Sequence, residues 1–442
     1  MYKVAMISLG CPKNQVDAER MLAQLIGNSF EISDCYDGAD AVIINTCGFI
    51  DAAKEEAIEN ILNMAQLKEE GILGKIIVTG CLSQRYQQEI FDEMPEVDAV
   101  IGIGANGDIS DIVKRVIEGE RVLQVPSNED LPLVGQRVLT TPEYWSYLKI
   151  ADGCSNRCTY CAIPSIRGNF RSVEFETVIE EAKQLAQQGT KELILIAQDT
   201  TNYGSDLYGK LRLPELLDAL CEIDGIEWIR MLYCYPDKIT DELLDTMARQ
   251  PKVLPYIDLP LQHADDKILK AMNRKGDNSF LKQLIAKIRS KLPDAVIRTT
   301  MIIGFPGEGD EEFETLAEFI NEVEFDRLGC FAFSPQEGTP AYDMEDQVEE
   351  DIKARRGEII MQDQLEIVTL KNQEKIGKTY RVIVEDYDSY SDSYSGRTYM
   401  DAPEIDGTIS FTTENNYENG DFVDVKVIGV NEYDLIGKDI NS

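Results

Sequence analysis

Ala151-Asp152-Gly153-Cys154-Ser155-Asn156-Arg157-Cys158-Thr159-Tyr160-Cys161 places three cysteines at C-x3-C-x2-C spacing directly after an apolar, strand-like run. Three thiolates is the telling number. A cube of four irons held by three protein thiolates leaves one iron without a protein ligand, free to bind a small molecule and pass it an electron. A zinc knuckle is the plain alternative, but structural zinc sites favour four N or S ligands in C-x2-C pairs, and no fourth ligand follows nearby. The spacing predicts a cluster on Cys154, Cys158 and Cys161, with catalysis running through it.

Outside that stretch, composition narrows the field. A chain of 442 residues is long enough for two or three domains with substantial cores. It contains no run of about 18 apolar residues, and Met1 to Ile7 lead straight into a strand pattern without a signal-peptide layout. A cytoplasmic protein is expected, whose ten cysteines are reduced thiols and metal ligands rather than a disulfide framework. Histidine occurs once, at His263, which rules out a histidine cluster for zinc and weakens any hydrolase built on a triad. With 43 Lys and Arg against 80 Asp and Glu, the formal charge of -37 opposes nucleic-acid binding. Such a surface either suits a basic partner or simply keeps the protein in solution.

From Lys3 to about Ile117 apolar strands alternate with amphipathic helices, the rhythm of a doubly wound α/β domain on a parallel sheet. Strands are expected at Lys3 to Leu9, Ala41 to Asn45, Lys75 to Thr79 and Asp98 to Ile101. The first three are each followed by a cysteine in a turn: Gly10-Cys11-Pro12, Thr46-Cys47-Gly48 and Gly80-Cys81-Leu82. Open parallel sheets bind ligands at the carboxyl ends of their strands, so Cys11, Cys47 and Cys81 can converge on a second cluster once the chain folds. Any one of them alone would read as a small buried thiol. Cys35 falls outside the pattern.

Residues 121–143, with Pro126, Pro132 and Pro142, read as a linker after an N-terminal domain of residues 1–120. From 144 to 376 the βα rhythm returns, with strands before Cys154 and at Leu193 to Ala197, Trp228 to Leu232, Tyr256 to Leu259, Ala295 to Ile303 and Arg327 to Phe333. Six units predict an incomplete (β/α)6 barrel. Barrel enzymes work where strands end, and Gln198, Tyr233 to Tyr235, Gln262-His263, Gly304 to Glu308 and Ser334 fall there. His263 is a candidate for handling substrate or a buried hydrogen-bonding residue. Gly304 and Gly307 either shape a turn or admit a ligand closely. Arg167 and Arg171, after the cysteine loop, are candidates to steady cluster charge or a carboxylate; Cys221, Cys234 and Cys330 share no position and read as packing residues. An acidic run, Asp343 to Asp351, opens a charged helix to about Gln373 that reads as a linker. Residues 377–442 then alternate as short strands, with one expected at Thr398 to Met400, and predict a small antiparallel, OB-like β-barrel. Such barrels often bind RNA, but from Lys378 onward 5 Lys and Arg face 14 Asp and Glu, which argues for another ligand.

The cysteine spacing, with the aromatic Tyr160 before its last member, resembles the signature of radical S-adenosylmethionine (SAM) enzymes. That resemblance implies SAM chelated to the open iron and cleaved to a 5'-deoxyadenosyl radical able to take hydrogen from unactivated carbon. The full arrangement of three-cysteine domain, barrel and C-terminal (TRAM) barrel resembles the radical SAM methylthiotransferases over essentially the whole chain. Ser8-Leu9-Gly10-Cys11-Pro12-Lys13-Asn14, Leu259-Pro260-Leu261-Gln262-His263-Ala264 and Gly396 to Gly407 look like the branch that modifies an aspartate of ribosomal small-subunit protein S twelve. The branch that modifies adenosine in tRNA, the MiaB type, usually reads Ser-Gly where this chain has His263-Ala264. The resemblance implies two 4Fe-4S clusters, on Cys11, Cys47 and Cys81 and on Cys154, Cys158 and Cys161, and a second SAM as methyl donor. It further implies Tyr160, Gln198, Gly304 and Glu308 at the SAM site, His263 near substrate, and an electron donor such as flavodoxin or ferredoxin. The alternatives are the tRNA enzyme and, from another class, a zinc-bearing non-enzymatic adaptor.

Overall fold

β1 (Lys3–Ser8), β2 (Glu31–Ser33), β3 (Ala41–Thr46), β4 (Lys75–Gly80), β5 (Ala99–Ile101) and β6 (Val122–Gln124) form one parallel sheet in the order β2-β1-β3-β4-β5-β6. The structure, a computed structural model, describes residues 1–441. Every residue of β3 is buried, as a central parallel strand covered by helices on both faces must be. The chain winds one way from β1 to β2, then crosses back to β3, so the sheet's switch point lies between β1 and β3. The two edge strands escape the sequence pattern because each is short and partly exposed, with polar residues, unlike the equally short but wholly buried and apolar β5. β6 lies inside residues 121–143, so part of the stretch read as linker belongs to the sheet, where Val122 pairs with Ala99.

β7 (Trp145–Lys149) starts the second sheet, and a two-stranded ribbon of β8 (Ala151–Asp152) and β9 (Arg171–Ser172) brackets the cysteine loop. β10 (Glu192–Ile196), β11 (Trp228–Met231), β12 (Val253–Asp258), β13 (Val296–Ile303) and β14 (Arg327–Ala332) complete six parallel strands in the order β14-β13-β12-β11-β10-β7. An all-parallel, unreversed order is that of a barrel left open between its first and last strands. The helix Glu350–Gln373 is more than a linker. It lies along the edge strand β14 and the helix Asp310–Val323, with Ile360 and Val368 fully buried, and so covers strand groups that would otherwise stand open.

β15 (Thr379–Asp388), β16 (Ser393–Thr398), β17 (Ile409–Thr412), β18 (Phe422–Asn431) and β19 (Asp434–Asp439) close a barrel in the order β15-β16-β17-β19-β18. Four pairings are antiparallel and β17 pairs with β19 in parallel. The strand expected at Thr398 to Met400 instead ends at Thr398. The preceding Asp-Tyr-Ser run has no apolar alternation to announce it, and the hairpin is held by the rings of Tyr387, Tyr394 and Phe411. This barrel seals the end of the second sheet where the strands begin: Arg397 pairs with Glu192 at 2.8 Å, Arg230 donates to the Tyr399 carbonyl at 2.8 Å, and the Tyr256 hydroxyl donates to Asp406 at 2.6 Å. The N-terminal domain covers the opposite end, where Arg85 reaches Gln336 at 3.0 Å and Ser334 donates to Asp51 at 2.7 Å.

Candidate active site

Cys11, Cys47 and Cys81 follow β1, β3 and β4, three neighbours in the sheet, and so stand side by side at its carboxyl edge. Cys11 precedes the helix Pro12–Gly27 in an extended conformation, and Cys81 opens the helix Cys81–Glu93. Gly10 makes the convergence possible. It has φ +92, and a Cβ there would lie 2.7 Å from Cys47 Cβ. The thiols lie within one another's electrostatic reach. Burial pushes the Cys81 thiol up to about 12, and burial likewise raises Cys47. Burial also acts to raise Cys11, but the charges of Lys13 and Arg167 and the backbone N–H groups of Asn14 and Lys13 together outweigh it and the net shift is downward. Holding three thiolates here therefore needs metal, or cations such as these, to replace the protons.

Arg167 is the second support. Its guanidinium is buried and bonds Asp17 at 2.8 Å, Asp152 at 2.9 Å, Asn14 at 3.2 Å and Cys81 Sγ at 3.6 Å. Lys149 joins the same pair of carboxylates, 2.8 Å from Asp152. Asp152, held well below the usual carboxylate range by Arg167 and Lys149 despite its burial, immediately precedes Gly153 and the second triplet. One ion network thus runs from the N-terminal thiols to the root of the cysteine loop. Arg171 has a different duty from the one expected: it binds the carbonyls of Asn128 and Glu129 and fastens the linker.

The loop of Cys154, Cys158 and Cys161 is pinned at both ends, by the Cys154 N–H to the Gly168 carbonyl at 3.1 Å and the Cys161 N–H to the Cys158 carbonyl at 3.1 Å. Gly153, at φ +74, admits the Asn169 carbonyl 2.1 Å from where a Cβ would stand. Burial pushes the Cys161 thiol up to about 12. Cys158 Sγ lies 3.6 Å from the Tyr235 hydroxyl and 3.8 Å from Arg274, whose guanidinium packs on the Tyr235 ring at 4.1 Å. Arg274 has no signal in the sequence, because it arrives from a loop more than a hundred residues downstream. Among the described residues no three His, Cys, Asp or Glu side chains close on a single ion. Thiolates bonded to separate irons of one cube stand farther apart than the ligands of one zinc.

Other expected site residues divide. Tyr160, next to Cys161 in the chain, packs against an apolar wall of Ile268, Met272, Phe305, Phe333 and Ala341. Gln198 donates to Asp152 at 3.1 Å, and its Oε1 is buried without a partner, an acceptor suited to a ligand's ammonium. The Glu308 carboxylate accepts from the Gly304 N–H at 2.8 Å and from Arg356 at 2.9 Å. Gly304, at φ +69, makes room for the Lys353 side chain, whose Cγ would be 2.3 Å from a Cβ. His263 is wholly buried, accepts from the Asp265 N–H at Nδ1 and has Nε2 3.3 Å from Glu308 without a hydrogen bond between them. Cys35 is exposed, Cys221 and Cys234 lie in the barrel core, and Cys330 is half-buried against that core.

Comparison with known proteins follows this division of the chain. The model of the uncharacterized protein family UPF0004 matches residues 3–102, that of the Radical SAM superfamily residues 148–320, and that of the TRAM domain residues 376–440. The ribosomal protein uS12 methylthiotransferase RimO of Clostridioides difficile is 47% identical over 442 residues, covering 99% of this chain and 98% of its own. Its counterpart from Desulforamulus reducens is 48% identical over 444 residues, 99% of each. The chain belongs to the RimO methylthiotransferase family. It is thus a radical SAM enzyme, and the zinc-bearing adaptor and the MiaB-type reading give way. The RimO-family fold also resembles solved radical SAM structures: TsrM from Kitasatospora setae with cobalamin and a 4Fe-4S cluster, TM-score 0.58, 13% identity, 77% of this chain and 74% of that one. OxsB with aqua-cobalamin and SAM gives TM-score 0.52, 13% identity, 82% and 56%. No helix among the described residues is long and apolar enough to cross a membrane.

Proposed function

We propose that this enzyme inserts a methylthio group at the β-carbon of an aspartate in uS12, the S twelve protein, with a second SAM as methyl donor. The observation that carries the proposal is two cysteine triplets at one barrel mouth, joined through Arg167, which touches Cys81 on one side and Asp152 beside the second triplet on the other. Cys154, Cys158 and Cys161 would hold one 4Fe-4S cluster, and Cys11, Cys47 and Cys81 the other; the donor sets and the orphaned Gln198 Oε1 fit such groups. When bound, these cofactors supply one-electron cleavage of SAM to a hydrogen-abstracting radical and a sulfur that carries the methyl group.

The protein's part is to bind, orient and seal. Gln198 Oε1 would accept from the SAM ammonium, while the wall of Tyr160, Phe305 and Phe333 would exclude water from the reacting groups. Tyr235 and Arg274 would orient Cys158, as outer partners orient metal ligands generally. The acidic surface suits a basic ribosomal protein as partner. A cytoplasmic location and an electron donor of the flavodoxin or ferredoxin type complete the proposal. Mass spectrometry of uS12 from cells with and without this enzyme tests it. A methylthio mass gain confined to one aspartate is expected; unmodified uS12 together with loss of methylthio-adenosine from tRNA would overturn it.

A further inference from the structure

Among the described residues nine Lys and Arg are buried as whole residues, and eight of them have a carboxylate within ion-pair distance. Lys13 is the exception. Only 6% exposed, it has no hydrogen-bond or ion-pair partner among the described residues, and its Nζ rests over the Tyr233 ring, 3.1 Å from the centroid. A buried ammonium is costly unless an anion or a ring faces it, and the ring offsets only part of that cost. The ring itself is held in place at some expense. Tyr233 has φ +62, a left-handed conformation that a bulky side chain rarely adopts, fixed by its N–H to Asp258 at 2.8 Å and by its carbonyl, which accepts from the Thr200 N–H at 3.0 Å. The Tyr233 hydroxyl also makes no hydrogen bond among the described residues. Lys13 follows Cys11 by two positions and its charge also acts on that thiol, and Tyr233 follows β11 at the barrel mouth, so the ammonium and the phenol lie between the N-terminal thiols and the barrel.

We infer that Lys13, seated on Tyr233, is the specificity-determining cation that receives the carboxylate of the substrate aspartate and presents the adjacent β-carbon to both cysteine triplets. This rests on the proposed reaction: an aspartate attacked at its β-carbon brings a carboxylate one bond away, and it needs a buried cation free to take it. The carboxylate that Lys13 lacks would then arrive with the substrate, and a neutral side chain would leave that position empty and be rejected.

The test uses the cluster-loaded enzyme and two peptides carrying the uS12 substrate loop, one with the native aspartate and one with asparagine in its place. Wild type should prefer the aspartate peptide by roughly 10- to 100-fold in Kd, the range for a charge-assisted hydrogen bond. Lys13→Met should bind both peptides as wild type binds the asparagine one, which also shows that the variant is folded, and Lys13→Arg should restore most of the preference. If Lys13→Met kept the preference while uS12 was still modified by wild type, the assignment of Lys13 would fail and the function would stand. If Lys13→Met instead shifted the potential or spectrum of the N-terminal cluster with the preference intact, Lys13 would serve the cluster, and the inference would be overturned. Failure of wild type to bind either peptide, with uS12 unmodified in cells, would overturn the function and the inference together.

Discussion

Cys154, Cys158 and Cys161 lie within eight residues of one loop, whereas Cys11, Cys47 and Cys81 are a βα unit apart and meet only because β1, β3 and β4 are neighbours. The local triplet is defined by its loop and by hydrogen bonds inside it. The assembled triplet is defined by the sheet, by the space at Gly10 and by a guanidinium from another domain. Each is backed by one arginine, the half-buried Arg274 for the first and the buried Arg167 for the second, and both arginines come from distant sequence. The difference teaches where each site is vulnerable: the first to changes in its own ligands, the second to anything that moves the two domains apart.

The largest expected effect separates the two triplets outright. Cys158→Ala should reduce SAM cleavage to background, a loss beyond the roughly 100-fold that follows removal of an outer partner, whereas Cys47→Ala should retain cleavage and stop sulfur insertion. Loss of cleavage in Cys47→Ala with an intact circular dichroism spectrum would erase the division of labour. Next comes Arg167→Met, which leaves Asp17 and Asp152 buried around Lys149 alone. It should cost about 3–5 kcal/mol in a urea titration and lower the iron held by the N-terminal triplet first. An unchanged urea midpoint would show that the network is dispensable.

Smaller effects sharpen the same contrast. Gly10→Ala forces a Cβ against Cys47 at a positive φ, so the assembled triplet should lose iron while SAM cleavage at the local triplet persists. Equal loss from both would mean that the sites are not independent. Gln198→Ala removes one acceptor and should weaken SAM binding by about tenfold in an equilibrium titration, with iron content unchanged. Wild-type affinity in that variant would remove Gln198 from the site.

Much of this was legible in the sequence because it is periodic or local. The central strands, long enough to show their apolar runs, and the C-x3-C-x2-C loop could be read directly, and the three cysteine turns shared one place in the βα repeat. β2 and β6, short edge strands that mix polar with apolar residues, showed no pattern where the equally short but wholly apolar β5 did, and the helix Glu350–Gln373 hid its packing role behind a charged surface. At the site, Glu308, Gly304 and His263 stood in the right topological position, but burial turned them toward one another and toward Lys353 and Arg356. Arg274 and the Lys13–Tyr233 pair could not be seen, since their meaning lies in contacts between residues far apart in the chain.

The most direct test of the division between the triplets is iron and sulfide content per chain after anaerobic reconstitution of wild type, Cys47→Ala and Cys158→Ala. Two cubes predict about eight irons in wild type and about four in each variant, with SAM cleaved only by wild type and Cys47→Ala. About four irons in wild type, unchanged by Cys47→Ala, would show that the assembled triplet holds no cluster.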